Sequence, residues 1–174
     1  MSLMRFPRTG SLLVVSVALT GAVSAQEPED QAPEDTVQWT ASVTSATGLH
    51  GGGEALVELS GAIRAGWHVY ALTEPDGGPT ALRVTLDDND VVLPAGVPSG
   101  TPPQKKHDHS FGLVTQFYTH AFKVSLPVQI KQQYPAGRQL IPVSVRFQTC
   151  SDRECQPPKT IHLSVPVEVA GGAS

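Results

Sequence analysis

Two cysteines, Cys150 and Cys155, are the residues whose type and spacing permit covalent chemistry in this sequence. They lie in the segment RFQTCSDRECQPPKTIHLSVPV, between an alternating run that ends near Thr149 and another that begins near Thr160. The pair is therefore expected at the end of a hairpin. Two sulfurs at this spacing can meet across a turn, and an oxidising compartment favours the bond. Two uses of such a bond stand open. As a staple it is weak: a loop of roughly six residues yields about 2 kcal/mol on the chain-entropy model, against about 4 for a bridge spanning roughly sixty. As an exchange site it is well placed, because an attacking thiolate approaches the target sulfur in line and a turn gives access. Arg153 is flanked by Asp152 and Glu154, so no strongly activated thiolate is expected.

Other chemistry is thinly represented. There is no G-x-S-x-G elbow, phosphate-cradling glycine loop or H-E-x-x-H pair, and Gly51-Gly52-Gly53 reads as a turn. His107 and His109, with His120 nearby, offer imidazoles to periplasmic copper or zinc, which makes metal binding the lesser alternative. Both methionines lie within the first four residues, so no thioether remains for cuprous copper once a leader is removed.

The elements that must position the cysteines are strands. Val37-Trp39-Ala41-Val43, Ala55-Val57-Leu59, Leu82-Val84-Leu86 and Val143-Val145-Phe147 place apolar side chains at every second residue, which puts them on one face of a pleated strand. Gly51–Gly53, Asp76-Gly77-Gly78-Pro79, Asp87–Asp90, Pro98–Pro103 and Tyr134-Pro135-Ala136-Gly137 break these runs before any reaches helical length. Seven or eight short strands punctuated in this way predict an all-β, antiparallel sandwich of immunoglobulin type. His68 and Tyr70 flank Val69, so both should point to the face opposite it.

The N-terminus has the layout of an export signal. Arg5 and Arg8 precede an apolar run from Leu12 to Val23, and Val23-Ser24-Ala25 supplies small residues for cleavage before Gln26. That run is too short to span a bilayer, so a soluble, exported, periplasmic product with no membrane span is expected. Residues 26–36, QEPEDQAPEDT, read as a disordered acidic leader, and 37–174 as one domain. Removing Arg5 and Arg8 from the twelve basic residues leaves ten against sixteen acidic ones, which argues against nucleic acid as a partner.

The residues around the cysteines resemble those of a known family, the N-terminal periplasmic domain of the DsbD thiol:disulfide interchange proteins. Gly66-Trp67-His68-Val69-Tyr70, the strand Ser125-Leu126-Pro127-Val128, and above all Thr149-Cys150 followed by Cys155-Gln156-Pro157-Pro158 carry the resemblance. It implies an immunoglobulin-like sandwich without a bound cofactor. In that family the domain takes electrons from a membrane-embedded reductase by way of a thioredoxin-like domain and hands them to periplasmic oxidoreductases. This chain stops at Ser174, so its donor is expected in trans. By resemblance Cys155 enters the mixed disulfide, Cys150 resolves it, and His68 accepts or supplies a proton. An aromatic ring of a cap loop covers the disulfide in the family, and Phe111, in His107–Gly112, is the candidate lid, with Phe117 and Tyr118 as substitutes. For each aromatic the ordinary alternative is core packing, and for His68 a hydrogen-bonded place in a sheet. A redox-silent binding module, in which the disulfide only pins a hairpin, is the rival reading of the whole chain.

Overall fold

The computed structural model describes residues 35–45 and 49–170. The expected export signal and all but the last two residues of the acidic leader lie outside the described residues. Within them the chain forms twelve strands and no helix: β1 Val37–Thr44, β2 Glu54–Ile63, β3 Trp67–Tyr70, β4 Arg83–Leu86, β5 Val92–Pro94, β6 Ser99–Gly100, β7 Gln104–Asp108, β8 Leu113–Tyr118, β9 Ala121–Ile130, β10 Gly137–Phe147, β11 Thr149–Ser151 and β12 Lys159–Val169. Twelve exceeds the seven or eight expected, and the short strands β5, β6 and β11 account for most of the excess.

Every strand pairing is antiparallel and groups the strands into three sheets. The first runs β1-β2-β9-β5, with β6 also on β9; the second runs β12-β10-β4; the third runs β11-β3-β8-β7. Alternation explains the packing of the first two. Along β2 and β9 the register joins Leu59 to Val124, Val57 to Leu126 and Ala55 to Val128, so both strands turn the same apolar face inward. Ile141, Val143 and Val145 of β10 and Val165 and Val167 of β12 belong to the same buried cluster. Each such fully buried side chain contributes about 1.5–3 kcal/mol relative to exposure. The result is the predicted all-β, immunoglobulin-like sandwich.

An aromatic layer lies at one side of this core. The rings of Tyr118 and Phe122 stack at 4.4 Å, and Trp39 meets Phe122 edge-on at 5.4 Å. Gly61 makes room for it, since a Cβ there would sit 2.5 Å from the Phe122 ring.

The third sheet is the one that carries the cysteines. At Gln148 the chain leaves β10 and crosses to β3: the Tyr70 amide donates to the Gln148 carbonyl, and the Gln148 side chain accepts from the Thr80 amide at 2.8 Å. The first described residues are already tied to this end of the fold. Thr36 is buried and its hydroxyl donates to Thr149 Oγ1 at 3.2 Å, while Asp35 pairs with Lys159 at 2.6 Å.

Candidate redox site

Sheet register builds the site. Residues directly opposite one another on paired strands project to the same face, and residues two apart along a strand share it. In the third sheet Cys150 pairs with His68, Tyr70 with Phe117, and Thr115 with Lys106. Cys150, His68, Tyr70, Phe117, Thr115, Lys106 and Asp108 therefore occupy one face. Val69, Tyr118 and Thr149 occupy the other, where Val69 and Tyr118 join the hydrophobic core. The expectation that His68 and Tyr70 point away from Val69 holds for this reason.

Cys150 and Cys155 are joined by a disulfide, S–S 2.03 Å with Cα atoms 4.0 Å apart. Polar contacts close the loop between them. The Ser151 amide donates to the Glu154 carbonyl at 2.8 Å, the Gln156 amide to the Thr149 carbonyl at 2.9 Å, and the Ser151 hydroxyl oxygen accepts from the amides of Arg153 and Glu154. The two cysteines differ sharply in exposure. Cys150, on β11, is 1% exposed, whereas Cys155 is an exposed residue at the loop's return. The two cysteines bridge each other antiparallel across the turn, as the hairpin end read from sequence requires, and Cys150 also pairs with His68 of β3 on its other side.

A pocket opens beside Cys150, lined among others by His68, Tyr70, Lys106, Asp108, Phe117 and Cys150 itself. Its floor is aromatic. The His68 ring stands 5.1 Å from both Tyr70 and Phe117, edge-on to Tyr70. Asp108 organises the polar wall: Oδ2 accepts from the Tyr70 hydroxyl at 2.7 Å and from Thr115 Oγ1 at 3.4 Å, and Oδ1 accepts from the Ser110 amide at 2.8 Å.

These surroundings set the protonation states. Burial lowers the His68 pKa below the ordinary imidazole value, against the opposing pull of Asp108 and Asp152, so a neutral ring faces Cys150 at neutral pH. Burial, reinforced by the hydrogen bond to Asp108, raises the Tyr70 phenol far above its usual range and keeps it a donor. For Asp108 burial acts upward, but the hydrogen bonds from Tyr70 and Ser110 and the nearby His68 more than offset it, and its carboxyl lies below the usual aspartate value. A neutral imidazole next to a buried cysteine can take a proton from a thiol and return it.

Phe111 sits in the turn between β7 and β8. That turn is closed by the Gly112 amide on the Asp108 carbonyl, with Gly112 in the left-handed region at φ 66° that glycine adopts without cost. The Phe111 ring is half-buried and packs edge-on to Tyr70 at 5.9 Å. Of the two substitute lids, Phe117 lies in the pocket against His68, and Tyr118 is buried in the core. Asp108, Lys106 and Phe117's contact with His68 were not legible as site features, since nothing local marks them; the alternation of β7 through Lys106 and Asp108 was the available signal. His107 and His109 have rings 5.4 Å apart, and no group of three metal-ligating residues is gathered among the described residues.

Fold and site together define a class: an all-β sandwich domain that holds one short-loop disulfide at the edge of a small sheet, beside a pocket of aromatic and ionisable groups. The family model of the N-terminal domain of the thiol:disulfide interchange protein DsbD matches residues 28–166, and the chain belongs to that family. The resemblance read from Gly66–Tyr70 and Cys150–Pro158 is thus confirmed. Among solved structures, the N-terminal periplasmic domain of ScsB from Proteus mirabilis is similar at 19% identity and a TM-score of 0.43; the match covers 81% of this chain and 51% of that one. The chain accordingly spans about half the length of that solved chain. No curated protein matches. Among the described residues no helix is long and apolar enough to cross a membrane.

Proposed function

We propose that the domain, residues 37–174, is an exported carrier that passes two electrons between proteins through Cys150–Cys155, with residues 1–25 as its export signal. The observation that carries this reading is the unequal exposure of the two cysteines: one end of the bond is open to a visiting thiolate and the other is sheltered beside a neutral imidazole. In the loading half-reaction a thiolate of a thioredoxin-like or membrane reductase donor attacks the Cys155 sulfur. The Cys150 sulfur leaves with the bonding electron pair and takes its proton from water; in the reverse direction the neutral His68, its register partner, accepts the proton of the Cys150 thiol. The donor's second cysteine then displaces the Cys155 sulfur, and the donor becomes oxidised as this domain becomes a dithiol.

In the unloading half-reaction the Cys155 thiolate attacks the disulfide of a periplasmic oxidoreductase, and Cys150 resolves the mixed disulfide. Bonds and electrons balance, since two thiols on one protein are exchanged for two on the other. Phe111 serves as a lid over the disulfide, held by its packing on Tyr70. A bare short-loop disulfide would react with any small thiol, so a lid displaced only by a docking partner keeps electron flow selective.

The test is covalent trapping. Cys150→Ser, incubated with a thioredoxin-fold oxidoreductase in its disulfide form, is expected to accumulate a mixed disulfide through Cys155 on non-reducing gels. Cys155→Ser is expected to accumulate none. Trapping by both or by neither removes the assignment. Equilibration of the native protein with thioredoxin-like donors separates the rival reading: a bond that stays closed, with a potential below about −300 mV, marks a structural disulfide in a redox-silent binding module.

A further inference from the structure

The residues that flank the cysteine pair are tied together on the side of the hairpin away from the sulfurs. Cys150 and Cys155 face each other as an antiparallel bridge, so Thr149 and Gln156 are opposite one another as well, and both point to the other face. There the Gln156 amide donates to the Thr149 carbonyl at 2.9 Å, and the Thr149 hydroxyl donates to Gln156 Oε1 at 3.1 Å. The same hydroxyl oxygen accepts from the Thr36 hydroxyl at 3.2 Å. Thr36 and Thr149 are 1% and 2% exposed, so neither hydroxyl can exchange its partner for water. Alongside, the Gln148 side chain spans two segments: its Oε1 accepts from the Thr80 amide at 2.8 Å and its Nε2 donates to the Gln156 carbonyl at 3.4 Å. The returning arm has little else to hold it. Pro157 and Pro158 carry no amide hydrogen, so Gln156 supplies the only backbone donor between Cys155 and Lys159, where β12 opens. A two-stranded hairpin alone is marginal in water, and this one closes on two amide bonds, Ser151 to Glu154 and Gln156 to Thr149.

We propose that Thr149 and Gln156 are positioning residues for the exchange reaction: their clasp, backed by Thr36, holds the Cys155 arm against β11 once the disulfide opens, so that the two thiols stay within reach of each other. The inference rests on the reading of Cys150–Cys155 as an exchanging bond and deepens it, since it names the residues that set how readily the pair recloses. Neither residue lines the pocket beside Cys150, so the clasp acts through the backbone and not by touching an incoming thiol. Holding the arms together raises the effective concentration of one thiol at the other. That quantity governs the equilibrium between dithiol and disulfide, and the rate at which Cys150 resolves a mixed disulfide on Cys155.

The experiment equilibrates the protein with glutathione and reads the effective concentration from the fraction reduced. Two glutathione thiols become one glutathione disulfide for each Cys150–Cys155 bond converted to a dithiol. Thr149→Val and Gln156→Leu are each expected to lower the effective concentration by about five-fold, the equivalent of one ordinary hydrogen bond. Thr149→Ser, which keeps the hydroxyl, is expected to match the parent. Gly61→Ala, which weakens the fold at the aromatic layer, lowers the stability of both redox forms alike and is expected to leave the effective concentration unchanged. A value unmoved by either clasp variant, or moved as far by Thr149→Ser or Gly61→Ala, would overturn the proposal. If neither glutathione nor dithiothreitol opens the bond, the exchange reading fails separately. The clasp is then read by urea unfolding: Thr149→Val is expected to cost more in the disulfide-bonded protein than in C150A/C155A, because a cross-link that already joins the arms lets the clasp close at less entropic cost. Equal costs in the two backgrounds overturn it.

Discussion

His68 and Cys150 are direct partners across the antiparallel pair β3–β11, so backbone register, and not a mobile loop, fixes the imidazole beside the buried cysteine. The same register sets Tyr70 opposite Phe117 and brings Asp108 within 2.7 Å of the Tyr70 hydroxyl. The chemistry of the site therefore depends on hydrogen bonds far from the sulfurs.

Acid is expected to weaken the fold in two windows. Burial lowers the His68 pKa from 6.5, so the unfolded chain binds this proton first; the stability His68 contributes is complete above pH 6.5 and is lost as pH falls through its folded value. The Asp108 carboxyl lies below its reference of 3.8, and its contribution is likewise complete above that value and lost as pH falls through the folded one. Urea unfolding from pH 8 down to pH 3 should show both declines. His68→Gln should abolish the first and narrow the second, since His68 is one of the groups that hold the Asp108 carboxyl down.

Tyr70→Phe removes only the hydroxyl that Asp108 accepts. A net loss on the order of 2 kcal/mol is expected for a hydrogen bond to a charged acceptor, together with an upward shift of the Asp108 pKa, measurable by carboxyl NMR titration. A variant as stable as the parent, with Asp108 unmoved, would show the contact to be idle.

Phe111→Ala should make Cys150–Cys155 easier to reduce by a small uncharged thiol, because the ring against Tyr70 would be gone. Stopped-flow reduction by dithiothreitol reads the rate directly, and an unchanged rate counts against this residue as the shield.

Gly61→Ala should destabilise the protein by about 1–3 kcal/mol, because the new methyl meets the Phe122 ring at 2.5 Å and disturbs its stack with Tyr118. Its thiol reactivity should stay close to that of the parent, since the aromatic layer lies on the core side of Tyr118. Denaturation midpoint and reduction rate, measured on one sample, separate the two effects.

The sequence alone determined the class of fold and pointed to the cysteine pair that the disulfide joins. Period-two alternation in segments such as Ala55-Val57-Leu59 and Val143-Val145-Phe147 is a local property, readable wherever turn residues bound a run, and it led directly to an antiparallel sandwich. The Cys150–Pro158 motif likewise marked the family. Only the tertiary structure decided which cysteine is covered and what stands beside it. Cys150 is buried because β11 pairs with β3, some eighty residues earlier in the chain. Asp108 and Lys106 enter the pocket because β7 pairs with β8, which pairs with β3. Strand pairing joins segments distant in sequence through backbone hydrogen bonds that carry no mark of residue type, so these neighbours are invisible until the sheet is assembled.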